Sequence, residues 1–428
     1  MEEKEKKTTA EHTHHHHHHH KRSKKNKGKF AKFMHENKRP LIGMAIALAL
    51  FAALAVVGAV LYAQKPLGDS DNPTTPPVIQ TEVQQEELVA LGLPYLTEDV
   101  RLVDEWVTAC VTDPELTPAL QILAGYREDG LRLDRGLSAK LRYQATRLPE
   151  GCTVQSAQLL VSVDPAFPTQ GLRRFDLKAD ENSKDVNLLK VDTTYYYRFD
   201  VTLSDGSVVS VQSSFHTAAT PRILSIEGLA NVRDIGGWVK AEGKTLRQGL
   251  LYRGSEIDDA AGKGYKITSK GLGDLQMLGI KTDMDLREHD VAEKGHGVCE
   301  NWIVYDAPMY VQIFHNTEPM QKIFTDLANA DNYPIYLHCT HGKDRTGTVV
   351  FLLEAVLGVS EADLIREYEL SALYFDMTKD LSTDDIYKVI EWLEDFGGDS
   401  LQENAKLYLL SIGITEEQIE NLKTIYLG

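Results

Sequence analysis

Cysteine is scarce in this chain: there are four in 428 residues, and no two stand in a C-x-x-C pair. That excludes a disulfide-dense secreted scaffold and leaves no paired-thiol metal site, so any working cysteine acts alone or in a single bridge. Basic charge is also in deficit. Forty-six Lys and Arg face 63 Asp and Glu, a formal net charge of -17, which argues against a protein that coats nucleic acid with its general surface. Compositional extremes are missing as well. With 42% apolar and 25% charged residues the chain is neither disordered throughout nor collagen-like. At about 150 residues per domain its length predicts two or three folded units.

Charge is absent altogether from Leu41 to Ala63, 23 residues (LIGMAIALALFAALAVVGAVLYA). As a helix they would span about 35 Å, enough for the hydrocarbon core, and they predict a transmembrane helix. The competing readings are a buried globular helix or a cleaved signal peptide. The stretch exceeds a typical signal core, and the 40 residues before it are longer than a usual n-region. Those 40 residues hold 12 basic and 5 acidic side chains, and after the helix Lys65 is the only basic residue before Arg101. The positive-inside rule then leaves residues 1–40 as a cytoplasmic tail and carries everything after Gln64 across the membrane, a single-pass topology with the bulk of the chain extracytoplasmic. The tail's cations either set topology alone or also hold anionic headgroups. Its run His14–His20 is set aside as low complexity or a tag. Gly43 and Ala47 make one small-xxx-small pair, a weak dimer signal that leaves the oligomeric state undetermined.

Residues 64–87, Pro-rich and polar from Pro66 to Glu87 and without aromatics, read as an extended stalk. An accessory region, 88–220, follows. Within it Tyr195, Tyr197, Phe199, Val201 and Leu203 alternate with Tyr196, Arg198, Asp200 and Thr202, the period of a half-buried strand. Ser204 to Ser207 makes a turn and Val208 to Phe215 the returning strand. Leu189, Thr193 and Tyr195 stand at the spacing of the Leu-x-x-x-Thr-x-Tyr corner. On those residues the segment of about 128–218 resembles a fibronectin type III module, which implies an all-β Ig-like sandwich that spaces or docks and carries no site chemistry. Cys110 and Cys152, on the expected outer side, are either bridged or two separate thiols.

The chemistry is concentrated in Tyr336 to Thr348, YLHCTHGKDRTGT. Apolar Pro334 to Leu337 predicts a short buried strand, and Val349 to Leu357, apolar nearly all round, a buried helix. Strand, tight turn and helix N-terminus make an anion site. Backbone N–H groups around Gly342 can curl into a nest, and the positive helix end adds to it. Cys339 lies at its base, where the thiolate is favoured. Arg345, six residues on, returns to the same centre and can grip two phosphate oxygens with its planar fork. A thiolate facing a bound phosphate is a nucleophile for phosphoryl transfer.

A bare C-x5-R is weak evidence, since Arg is about one residue in twenty. The added His, the turn Gly, and Thr-Gly after the Arg, in this context, are specific. A nucleotide P-loop is excluded because Asp344 follows Gly342-Lys343 where Ser or Thr is needed, and no glycine stands five residues earlier. These residues resemble the signature loop of the cysteine-dependent protein tyrosine phosphatases. With Asn231-Val232-Arg233-Asp234-Ile235-Gly236-Gly237, Tyr252-Arg253-Gly254-Ser255 and Asp285-Leu286-Arg287 they resemble more narrowly the bacterial tyrosine/serine phosphatases marked by N-[FV]-R-D-[LI]-G-G.

That resemblance runs from Ile223 to the C-terminus, defines a catalytic domain at 221–428, and implies an α/β fold, a parallel-type sheet flanked by helices, which fits strands near Lys281–Leu286, Trp302–Tyr305 and Pro334–Leu337. It implies that Cys339 is the nucleophile, that Arg345 binds the phosphoryl group, that His338 orients and tunes the thiolate, and that Thr346 helps the sulfur leave. Thr340, His341, Gly342, Lys343 and Gly347 complete the phosphate-binding loop. Asp344 is the implied general acid, with Asp306, 33 positions before Cys339, as the second candidate. Arg233 and Asp234 read first as an ion pair buttressing a turn beside the loop, and second as substrate contacts. Arg287, at a strand end, carries the same two readings.

Neither metal nor other cofactor is needed, because thiolate and arginine supply the charge. The sequence admits phosphotyrosine proteins, phosphoserine or phosphothreonine proteins, and inositol phosphates or phosphoinositides; the favoured substrate is protein phosphotyrosine with broad, dual specificity, and the alternative is an inositol phosphate or phosphoinositide. Lys343 adds a second cation that suits the last. A surface binding protein with an inactive phosphatase-like domain is the rival of another class, opposed by the presence of Cys339, Arg345 and an acid together. The charge divides in two: net +7 before Leu41 and net -24 after it.

Overall fold

The structure is a computed structural model and describes residues 90–93, 98–112, 135–373 and 384–428. The basic tail, the apolar run 41–63 and the stalk lie outside them. Among the described residues no helix is long and apolar enough to cross a membrane.

Six of the eight strands described in the first half build its core: β1 (Ala139–Arg142), β2 (Val154–Ser162), β3 (Arg173–Lys178), β4 (Ser183–Val186), β5 (Thr194–Leu203) and β6 (Val208–His216). Four form an antiparallel sheet in the order β3-β2-β5-β6, and β1 pairs with β4. Both contribute to one core of Leu141, Leu159, Val161, Leu177, Val186, Phe199 and Val201. On β5 the alternation is as the sequence predicts: Tyr195, Tyr197, Phe199, Val201 and Leu203 are buried and the residues between them are partly open. The corner also forms, with the Tyr195 hydroxyl accepting from the Lys190 N–H at 2.8 Å. Cys152 is a free thiol. Its sulfur lies 3.6 Å from an Asp205 carboxylate oxygen, and the side chain of Cys110, the other member of the expected pair, lies outside those the structure describes.

The second half is a six-stranded sheet built from β7 (Arg222–Ile223), β8 (Arg233–Asp234), β9 (Leu251–Gly254), β10 (Thr282–Asp285), β11 (Asn301–Val304) and β12 (Ile335–His338). The order is β11-β10-β12-β9-β8-β7. Strands β11, β10, β12 and β9 run parallel to one another, whereas β8 runs antiparallel to both β9 and β7. The sheet is therefore mixed, a correction to the expected parallel-type sheet. Its cause is local: the nine residues between β7 and β8 are too few for a crossover, so the chain can only turn back.

Helices α1 (Ser269–Leu278), α2 (Thr317–Leu327), α3 (Asp344–Leu357), α4 (Glu361–Glu369), α5 (Asp384–Glu394), α6 (Leu401–Ser411) and α7 (Glu416–Leu427) cover this sheet. Every residue of α3 after Asp344 is buried, which explains its lack of a polar face. The two halves belong to one compact unit. Gln248 clamps the backbone of Val191, accepting from its N–H at 2.9 Å and donating to its carbonyl at 2.7 Å. Arg222 donates to the carbonyls of Leu188 and Leu189 and pairs with Asp234 at 2.6 Å.

Candidate active site

Central strand β12 has all four residues fully buried and delivers the chain to the carboxyl edge of the sheet, where Gly254, His338 and Asp285 lie in register on β9, β12 and β10. From there residues 339–343 turn into α3. Gly342 makes the turn at φ +68°, a left-handed conformation, and a side chain there would meet the Gly254 carbonyl. Only glycine satisfies both conditions. The turn is gripped from outside. Asn231 Nδ2 donates to the carbonyls of His341 and Gly342, each at 3.2 Å, and Arg253 donates to that of Gly342 at 2.7 Å. In a planar trans peptide the N–H points opposite to the C=O. Pulling these carbonyls outward therefore turns the N–H groups of Gly342 and Lys343 toward the concave side, as in an anion nest.

Cys339 is 4% exposed at the base of this turn. Burial opposes its ionisation, yet the Arg345 guanidinium together with the Thr346 hydroxyl and N–H outweigh it and hold the thiol below its usual range. The Thr346 hydroxyl is buried without a hydrogen-bond partner of its own and acts on the Cys339 sulfur. Arg345 is fixed by four groups: Glu288 at 2.6 Å, the carbonyls of Leu286 and Ala307, and the Thr340 hydroxyl at 3.3 Å. Burial works against its charge, but the Cys339 thiolate and Glu288 favour it more.

His338 is completely buried beneath the loop, its Nε2 3.0 Å from Asp283 and its Nδ1 3.9 Å from Asp285. Burial disfavours the imidazolium; Asp285 and Asp283 overcome it and raise the pKa to about 9. His341 turns the other way, with Nδ1 2.9 Å from the Tyr265 hydroxyl. Burial first, then the charge of Lys263, push its pKa down.

Asp344 opens α3, and its Oδ1 accepts from the Tyr368 hydroxyl at 2.8 Å, with Lys343 Nζ 3.6 Å away. Asp306 stands at φ +50° and spends its carboxylate on the N–H of His289 at 2.7 Å. It thus caps the short helix His289–Ala292 while its neighbour Ala307 touches Arg345.

Arg233 and Asp234 do not pair with each other, contrary to expectation. Adjacent residues of a strand face opposite sides, and each finds its own partner. Arg233 binds Glu367 at 2.6 Å and the Asn231 side chain at 2.6 Å. Asp234 binds Arg222 and the N–H groups of Gly236 and Gly249. Arg287 is enclosed by Asp285, Glu256 and Asp258 and fully buried, so it braces the sheet edge.

Sequence reading missed several residues that this site depends on. Glu367 pairs with both Arg233 and Arg253, Tyr368 holds Asp344, and Glu288 holds Arg345. For Arg287 a signal existed: Asp283, Asp285 and Arg287 recur every second residue, as do Glu256 and Asp258, the spacing of side chains on one face. For Glu367 and Tyr368 there was none, because α4 meets the loop only in three dimensions.

Residues 224–428 match the family described as the tyrosine phosphatase family. A protein of Cupriavidus necator, provisionally named a tyrosine-protein phosphatase, is 28% identical over 174 residues, 34% of this chain and 61% of that protein. A tyrosine-protein phosphatase of Nostoc commune is 29% identical over 137 residues, 26% of this chain and 47% of that protein. The chain thus spans about half to three-fifths of these relatives. Among solved structures, the core catalytic domain of the PP-IP phosphatase SIW14 from S. cerevisiae in complex with citrate aligns with TM-score 0.23 and 18% identity, over 35% of this chain and 92% of that one.

Proposed function

Residues 224–428 belong to the tyrosine phosphatase family, and from that premise we propose that this protein hydrolyses phosphate monoesters, phosphotyrosine in proteins foremost, through a cysteinyl-phosphate on Cys339. The observation that carries the reading is the buried Cys339 thiol, held toward thiolate by Arg345 and Thr346 at the base of a nest of N–H groups.

In the first step the sulfur bonds to phosphorus as the bond to the leaving oxygen breaks. Asp344 gives that oxygen its proton, and Arg345 takes up the equatorial charge. In the second, Asp344 removes a proton from water, the new oxygen bonds to phosphorus, and the thiolate departs toward Thr346. Lys343, Thr340, His341 and Gly347 complete the loop. His338 sits beneath it as a fixed cation.

Purified protein should release phosphate from an aryl phosphate, and Cys339→Ser should abolish the release. A folded, reduced protein without turnover would support instead a binding protein with an inactive domain. An inositol phosphate is the second reading, favoured by Lys343 in the loop and by Lys263, whose charge reaches His341. A panel of phosphopeptides and inositol phosphates separates the two by kcat/KM. The remainder of the chain is read as an anchor and spacer. Residues 41–63 cross the membrane with the tail cytoplasmic, and residues of about 128–218, a fibronectin III-like module, hold the catalytic domain outside. Protease protection of the tail in sealed vesicles tests that orientation.

A further inference from the structure

We propose that Tyr368 is the positioning residue of the acid–base step, fixing which oxygen of Asp344 carries the proton that is transferred. The inference rests on the assignment of Asp344 as general acid made above.

The two oxygens of Asp344 are unequal. Oδ1 accepts from the Tyr368 hydroxyl at 2.8 Å and has Lys343 Nζ at 3.6 Å. Among the described residues no hydrogen bond reaches Oδ2. The side chain is 18% exposed, and of its two oxygens only Oδ1 is held. A carboxyl whose Oδ1 is an acceptor carries its proton on Oδ2. Tyr368 therefore selects the tautomer that carries the acidic O–H on the oxygen it does not hold.

The donor is itself rigid. Tyr368 is 2% exposed on α4, and its ring lies so close to Gly347 that a Cβ there would stand 2.6 Å from it. Directly before it, Glu367 is locked between Arg233 and Arg253. The charged groups facing the hydroxyl are Asp344 and Asp385 with Arg253 opposite, and burial, then Asp344, push the phenol far above its usual range. It stays a donor throughout.

The bond also changes during the reaction. When Oδ2 passes its proton to the leaving oxygen, as sulfur–phosphorus forms and phosphorus–oxygen breaks, negative charge grows on the carboxyl group. A hydrogen bond to a carboxylate is about twice as strong as one to its neutral acid. The Tyr368 contact thus strengthens along the reaction coordinate, which is what accelerates a step. When Oδ2 later takes a proton from water, the same bond keeps it turned to the phosphorus.

The test is Tyr368→Phe in the full chain, which removes one hydroxyl and keeps the ring. Turnover of a phosphate with a poor leaving group should fall roughly tenfold, part of the 10²–10⁴ that a general acid supplies. Turnover of one with a good leaving group should fall less than about twofold, because that bond breaks with little need of a proton. In an Asp344→Asn background the same change should add no further leaving-group dependence. Equal losses on both substrates, or an additive loss in the Asn background, would overturn the proposal and leave the phosphatase reading standing. Flat leaving-group dependence in Asp344→Asn alone would overturn it together with the assignment of Asp344. If Tyr368→Phe does not fold, a ring-fluorinated tyrosine at 368, a stronger donor of the same shape, should improve turnover of the poor leaving group, and no change there would overturn it.

Discussion

Glu288 and Arg345 form an ion pair with Nη1 2.6 Å from Oε2, and it decides how the guanidinium enters the loop. Nη1 is occupied by Glu288, Leu286 and Ala307, so the fork turns its other edge to the Cys339 sulfur and to any phosphate held there.

Removing the carboxylate charge should let Arg345 swing. Glu288→Gln is expected to lower kcat/KM by about three- to tenfold, roughly 1 kcal/mol, because a side chain that is 30% exposed is partly screened. Steady-state kinetics check it. An unchanged kcat/KM would mean that the two carbonyls alone suffice.

Ionisation of Cys339 should depend on its cationic neighbour. Alkylation by iodoacetamide, followed against pH, should saturate at lower pH in the native protein than for an ordinary thiol. In Arg345→Gln the midpoint should move up by about one to three pH units, the effect of an opposite charge at contact distance. Coincident curves for the two proteins would refute the electrostatic account of the thiolate.

His338 makes stability depend on pH. Its pKa rises from 6.5 to about 9 on folding, so the folded protein holds the proton more tightly than the unfolded chain. The contribution, on the order of 3 kcal/mol, is complete below pH 6.5 and is lost as pH climbs through about 9. Denaturant melts between pH 6 and 10 should show this fall in the native protein and a shallower one in His338→Gln.

Glu354 and Glu367 lie buried behind the loop with opposite fates. Burial and then the charge of Glu367 keep Glu354 protonated. Burial also opposes ionisation of Glu367, but Arg233 and Arg253 overcome it and hold the group ionised. Glu354→Gln replaces a neutral group by a neutral one and should cost under about 1 kcal/mol. Glu367→Gln strands two buried guanidinium groups and should cost about 3–5 kcal/mol. A larger loss for Glu354→Gln than for Glu367→Gln in chemical denaturation would show that the proton sits on the other residue.

Much of the site was legible because its chemistry is contiguous. Cys339 and Arg345 share one loop, and the flanking apolar runs already gave the strand before it and the helix after it. Asp234 and Arg287 were harder: charged residues near a motif look alike in sequence whether they face substrate or a buried partner. Which face of the strand they occupy settles it, and there Arg287 meets three carboxylates while Asp234 meets Arg222. The antiparallel edge of the sheet was legible in principle from the short link between Arg222–Ile223 and Arg233–Asp234, yet the alternating pattern downstream concealed it.

By itself the sequence determined the loop, its thiol and its cation, since a nest of N–H groups, a thiol and an arginine within seven residues are a matter of local backbone geometry. It also determined the alternation that buries Tyr195 to Leu203 and the uncharged stretch from Leu41 to Ala63. Only the tertiary structure decided what holds those parts in place. Glu367 lies 134 positions from Arg233, and Tyr368 lies 24 from Asp344. A buried charge takes whichever opposite charge the fold brings within about 3 Å, because an unpaired one costs several kcal/mol. That choice depends on where α4 packs, and on nothing written near either residue.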